Sequence, residues 1–182
     1  MALYILLTGL LIACQESKEK SSEEVVVNDD RKYFNPKDEF IQFDTLVTEG
    51  TVYKDSISSW KGYQKVKETL EKLKKNTPND VLNISDELVG NVVLMRDSIT
   101  VDLLKIKGMR ARIHTLYNQS LRLQEMKDIP AITVPEIKKQ TQGLFVIFRM
   151  INRKITAIYQ QVDFENELEN DEFFFSKIDS IR

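Results

Sequence analysis

The chain has 182 residues, 42% of them hydrophobic and 30% charged, with a net charge of −2. That length suffices for one ordinary domain with a buried core, and the composition is that of a globular protein, not an integral membrane one. With one cysteine, Cys14, and one histidine, His114, no internal disulfide can form and no zinc-type cluster can be assembled.

The charges are unevenly placed. Residues 15–30 hold six acidic and two basic side chains, and residues 163–182 hold seven acidic and two basic. The intervening 31–162 carries 22 Lys and Arg against 15 Asp and Glu. A basic body therefore lies between two acidic ends.

Met1 to Ala13 is an uncharged, mostly apolar run, shorter than the roughly 20 residues that a spanning helix needs. It closes on Leu11-Ile12-Ala13-Cys14, and a charged segment begins directly after it. This stretch resembles the lipobox of bacterial lipoproteins, although Met1 to Tyr4 lacks the basic residues usual in a signal peptide. The resemblance implies that 1–13 is a signal peptide, with Leu11, Ile12 and Ala13 read by a dedicated signal peptidase. Cys14 then carries the lipid. Everything downstream is held at the outer or inner membrane of the cell envelope, facing the periplasm or the cell surface. The alternative is a buried N-terminal strand or helix with Cys14 an ordinary thiol.

Residues 14–34 read as the lipidated cysteine followed by a flexible acidic tether, because charge is high and large apolar residues are few. The bundle domain is expected over 35–162. Asn35-Pro36 opens it as cap and first helical residue, and Phe40, Phe43, Leu46 and Val47 continue at helical spacing up to a stop at Gly50. A second helix is expected from Asp55 or Ser56 to Lys75, with Ile57, Trp60, Tyr63, Val66, Leu70 and Leu73 as its apolar stripe. Gly62 interrupts it, and the helix cost of a glycine, about 1 kcal/mol against Ala, points to a close contact there.

Thr77-Pro78-Asn79-Asp80 starts a third helix with cap, proline and first-turn acid in place. Its stripe is Val81, Ile84, Leu88, Val92, Met95 and Ile99. The short link between the second and third helices makes them antiparallel neighbours. Thr100–Gly108 reads as a connector. A fourth helix follows over Met109–Lys127, with Met109, Ile113, Leu116, Ser120 and Leu123 on one face, and Asp128-Ile129-Pro130 ends it. Thr133-Val134-Pro135-Glu136 is a capping box. It opens the longest helix, striped by Ile137, Thr141, Leu144, Phe148, Ile151, Ile155, Ile158 and Val162. The fold class is therefore an all-α, up-and-down bundle of about four main helices, with a short N-terminal helix and a docked C-terminal segment.

Residues 163–182 form an acidic tail that ends in an apolar segment. Phe174, Ile178 and Ile181 share one helical face, so a short terminal helix docking on the bundle is expected. The other reading makes Phe173, Phe174 and Phe175 a peptide that binds a partner.

No catalytic constellation emerges. Position 111, three before His114, is Ala, so no Glu-x-x-His di-iron motif is present. Gly9, Gly50, Gly62, Gly90, Gly108 and Gly143 are isolated and form no phosphate loop. No cofactor or metal is implied, and an acidic overall balance in an exported chain argues against nucleic acid. Basic side chains cluster over Lys61–Lys75, over Lys105, Lys107, Arg110 and Arg112, and over Lys138, Lys139, Arg149, Arg153 and Lys154. Solvated helix surface explains them. They also suit an anionic partner, or the acidic 163–172 stretch folding back over them.

Beyond its lipobox, the chain resembles helical lipoproteins of Bacteroidota, a likeness that implies an envelope location and no particular activity. The expected role is that of a non-catalytic interaction or structural module, with the membrane and an envelope protein as partners. The alternative is a bundle that binds a small ligand between its helices, with Trp60, Tyr63 or Tyr117 lining the cavity.

Overall fold

A computed structural model describes residues 41–43 and 51–179, the last ten by backbone alone. In chain order the elements are β1 (Ile41–Gln42), α1 (Lys61–Leu73), β2 (Lys75–Asn76), α2 (Pro78–Asp97), α3 (Lys107–Glu125) and α4 (Val134–Asp179), with single 3-10 turns at Asp102–Leu104 and Met126–Asp128. The protein is an all-α bundle in which each helix packs against the next.

The helices alternate in direction. Gly62, at the start of α1, meets Met95 near the end of α2, while Lys72, near the end of α1, pairs with Glu87 in α2 at 2.8 Å. Likewise Gln140 of α4 reaches Gln119 of α3, and Gly108 of α3 lies beside Lys154 of α4. Helix α4 closes the bundle onto α1. The Tyr63 hydroxyl donates to Asn152 Oδ1 at 2.8 Å, and the Tyr63 ring stacks on Phe148 at 5.3 Å.

Every apolar residue of the expected α1 stripe is buried, as is the whole α3 stripe. In α2 the core side includes Leu82 and Ser85, while Ile84 and Ile99 pack only at its edge. Burying each such aliphatic or aromatic side chain contributes about 1.5–3 kcal/mol, so these stripes supply the main driving force. Two caps fix helix starts. Thr77 Oγ1 accepts from the Asp80 amide at 3.2 Å, with Pro78 in the first turn. At Thr133 the Glu136 carboxylate reaches back, accepting from the Thr133 amide at 2.9 Å and from the Thr133 hydroxyl at 2.7 Å.

Three expectations are corrected. Within the expected helix of 36–49, Ile41 and Gln42 instead form a strand paired antiparallel with Asn76 and Lys75; the rest of that segment, apart from Phe43, lies outside the described residues. The cause is tertiary. Extended backbone buries Ile41 and Phe43 and leaves Gln42 out, and Phe43 meets Phe145 edge to face at 4.9 Å. Helix α1 starts at Lys61 and not near Ser56, because Asp55–Trp60 is spent on turns: Ser58 Oγ donates to the Asp55 carbonyl at 2.8 Å, and the Trp60 amide bonds to Ile57. Serine side chains offer the backbone this alternative to a helix. Helix α4 does not end at Val162. It runs unbroken to Asp179, so the expected separate terminal helix does not form within it; no Gly or Pro interrupts 163–179.

Candidate interaction surface

Trp60 and Tyr63 are buried in the core. The Trp60 indole donates to the Met95 carbonyl at 3.0 Å, and the two rings lie 5.6 Å apart. Burial pushes the Tyr63 hydroxyl up to about 12, so at neutral pH it is a neutral hydrogen-bond donor. Tyr117 is half-buried on α3 beneath the Arg96 guanidinium, 5.4 Å from its ring centre. A surface depression of about 460 Å³ is lined by Gln42, Phe43, Lys138 and Gln142, and another of about 260 Å³ by Asp86, Gln124, Glu125, Lys127 and Asp128. Trp60, Tyr63 and Tyr117 border neither.

His114 is exposed on α3. Among the described residues no three His, Cys, Asp or Glu side chains group closely enough to hold a metal ion, and no helix is long and apolar enough to cross a membrane. Leu11, Ile12, Ala13 and Cys14 lie outside the described residues, as do the side chains of Phe173, Phe174 and Phe175.

On α2, Asp86, Glu87 and Asp97 are engaged locally. Asp86 accepts from Lys127 and, at 2.8 Å, from Gln124, tying α2 to α3; these bonds, Lys127 foremost, hold its carboxyl below the usual range. Glu87 is held low chiefly by Lys72, and Asp97 by Arg96. The arrangement on α4 is different. Arg149, Arg153 and Lys154 form no ion pair among the described residues, and neither do Asp163, Glu165, Glu167 and Glu169 further along the same helix. Glu165 and Glu169 stand about 16 and 22 Å beyond Lys154 along an unbroken helix, so the stretch Asp163–Glu169 does not fold back over the basic body.

The segment before α1 braces α4, a feature the sequence reading did not find. Thr51 Oγ1 and Thr156 Oγ1 are 3.0 Å apart, Tyr53 stacks on Tyr159 at 4.8 Å, and the Tyr53 hydroxyl donates to Asp163 at 2.7 Å. That bond to a carboxylate pushes the Tyr53 hydroxyl up. Two tyrosines 106 positions apart leave no local pattern to read. Beyond this brace every side chain from Phe164 to Glu169 is exposed, including Phe164 and Leu168. A helix of 46 residues is about 70 Å long, more than twice the length of α2 or α3, so its C-terminal part extends past the helices that hold the rest.

The fold thus defines an all-α bundle with one over-long helix. Against protein-family models, curated proteins and solved structures alike, nothing matches the chain.

Proposed function

We propose that the chain is a lipid-anchored module of the bacterial cell envelope that binds another protein and carries out no chemistry itself. Leu11-Ile12-Ala13-Cys14, closing an apolar run at the point where composition turns charged, supports the anchor and is the observation that carries the reading. The interaction role draws on α4, whose later part carries exposed Phe164 and Leu168 beside carboxylates that form no ion pair among the described residues. A water-exposed apolar and charged helix face of this kind suits a protein partner better than a small molecule. Trp60 and Tyr63, two of the three aromatic residues expected beside a ligand, are packed into the core.

The lipid places the bundle at the outer or inner membrane, and the sixteen residues of the charged stretch 15–30 alone span up to roughly 50 Å when extended. The bundle can therefore meet a partner away from the membrane surface. Stable anchoring takes more than one acyl chain, as bacterial lipoproteins carry. Fractionating cells that express the chain tests the reading: the wild-type protein is expected in the membrane fraction, and Cys14→Ser is expected to be released or left unprocessed. Correct processing and membrane retention of the Cys14→Ser chain would refute the anchor.

A further inference from the structure

Helix α4 carries two stripes. Phe148, Ile151 and Ile155 are buried in the bundle. On the opposite side Met150, Ala157 and Phe164 recur seven apart, with Leu168 one turn beyond. Positions seven apart on a helix nearly superimpose, drifting by about 20°, so these residues form one outer seam. Met150 is 46% exposed, Phe164 58% and Leu168 48%, and Ala157 is exposed as well. Along this seam the charge is antisymmetric. Residues 149–154 carry Arg149, Arg153 and Lys154 and no acid, 155–162 carry no charge, and 163–169 carry four acids and no base. None of these seven charged groups forms an ion pair among the described residues.

We infer that the occupant of this seam is α4 of a second copy of the chain, lying antiparallel across a two-fold axis at Ala157. A self-complementary patch is what a two-fold interface demands. With the axis at Ala157, Met150 of one copy faces Phe164 of the other, and Val146 faces Leu168. The smallest residue of the seam stands where the helices approach most closely. The same arrangement brings the basic 149–154 of each copy within a helical turn of the acidic 163–169 of the other. A parallel pairing would set acid on acid and base on base, which like-charge repulsion disfavours. The acidic stretch cannot reach its own basic stretch along an unbroken helix, so the two complementary halves can meet only between copies. This deepens the interaction reading above, on which it rests, by naming the partner.

Disulfide trapping tests it in the full chain carrying Cys14→Ser, which removes the only native thiol. Ala157→Cys is expected to cross-link to its own copy under mild oxidation. Met150→Cys and Phe164→Cys are expected to cross-link poorly alone and efficiently when mixed. Phe164→Glu, an exposed change that leaves the core intact, should weaken the dimer at least about tenfold in sedimentation equilibrium, and high salt should weaken the wild type. A chain that stays monomeric at roughly 100 μM in low salt, about a hundredfold above a micromolar Kd, overturns the proposal. So does Met150→Cys cross-linking to itself as readily as to Phe164→Cys. A photo-cross-linking residue at position 157 of the chain with Cys14 intact separates the two readings: capture in cells of a different envelope protein alone overturns self-association while the interaction reading stands, and capture of no protein at all overturns both.

Discussion

At Gly62 a hydrogen is the only side chain that fits. A Cβ there would stand 2.7 Å from the Leu94 carbonyl carbon and closer still to the backbone of Met95, and backbone cannot move aside as the tip of a side chain can. Gly62→Ala is therefore expected to cost at least about 2–3 kcal/mol through overpacking, read as a lower urea midpoint with an unchanged slope. Gly90, in the middle of α2, has nothing within 4 Å of its would-be Cβ, so Gly90→Ala should stabilise by about 0.5–1 kcal/mol through helix propensity and a less free unfolded chain. Opposite signs from one substitution at two helical glycines separate packing from propensity. Tyr63 supplies a pH handle. Its hydroxyl ionises near 10 when unfolded and at about 12 in the fold, so the native state holds the proton that the unfolded state gives up. Its contribution is complete below pH 10 and is lost as pH rises towards 12, by up to about 2–3 kcal/mol. Chemical denaturation across that range should show a steeper fall for wild type than for Tyr63→Phe.

Among the elements, α2 owes its start to Thr77. Removing the acceptor for the Asp80 amide in Thr77→Ala should cost about 1 kcal/mol, measurable as a lower thermal midpoint with helix content retained. This helix was largely legible in sequence because its signals are local: cap, proline, first-turn acid and a 3.6-residue stripe. The close approach at Gly62 was legible for a related reason, since a glycine that costs helix stability needs a return in packing. The failures share the opposite cause. Ile41–Phe43 carries both helical spacing and strict alternation, and only pairing with Lys75 and Asn76 selects the strand. The Ser58 and Trp60 turns delay α1 beyond its apolar stripe, since Ile57 remains buried without being helical. Helix α4 outlasts its core stripe, which ends near Val162, because the Glu-rich run beyond it favours a helix and holds no Gly or Pro to break it. Its outer seam, Met150, Ala157 and Phe164, was written in the sequence at heptad spacing but was hidden by the stronger inner stripe.

For the whole molecule, the division of charge noted in sequence takes on a geometry. Asp86, Glu87 and Asp97 in the bundle are paired with neighbouring cations, whereas Asp163, Glu165, Glu167 and Glu169 on α4 are exposed and form no ion pair among the described residues. Because Asp86 and Glu87 sit below the ordinary carboxylate range, what they add to stability is present at neutral pH and lost as pH falls through their lowered values. The contribution is small, since exposed pairs are worth little. The functional account depends on the anchor, and that is a matter of covalent chemistry at one atom. Intact-mass analysis of the protein extracted from membranes of an expressing bacterium tests it most directly. The account predicts a chain that begins at Cys14, lacks residues 1–13 and is heavier than its polypeptide by several acyl groups. A chain that retains Met1 to Ala13, or one that begins elsewhere and bears no lipid, would contradict it.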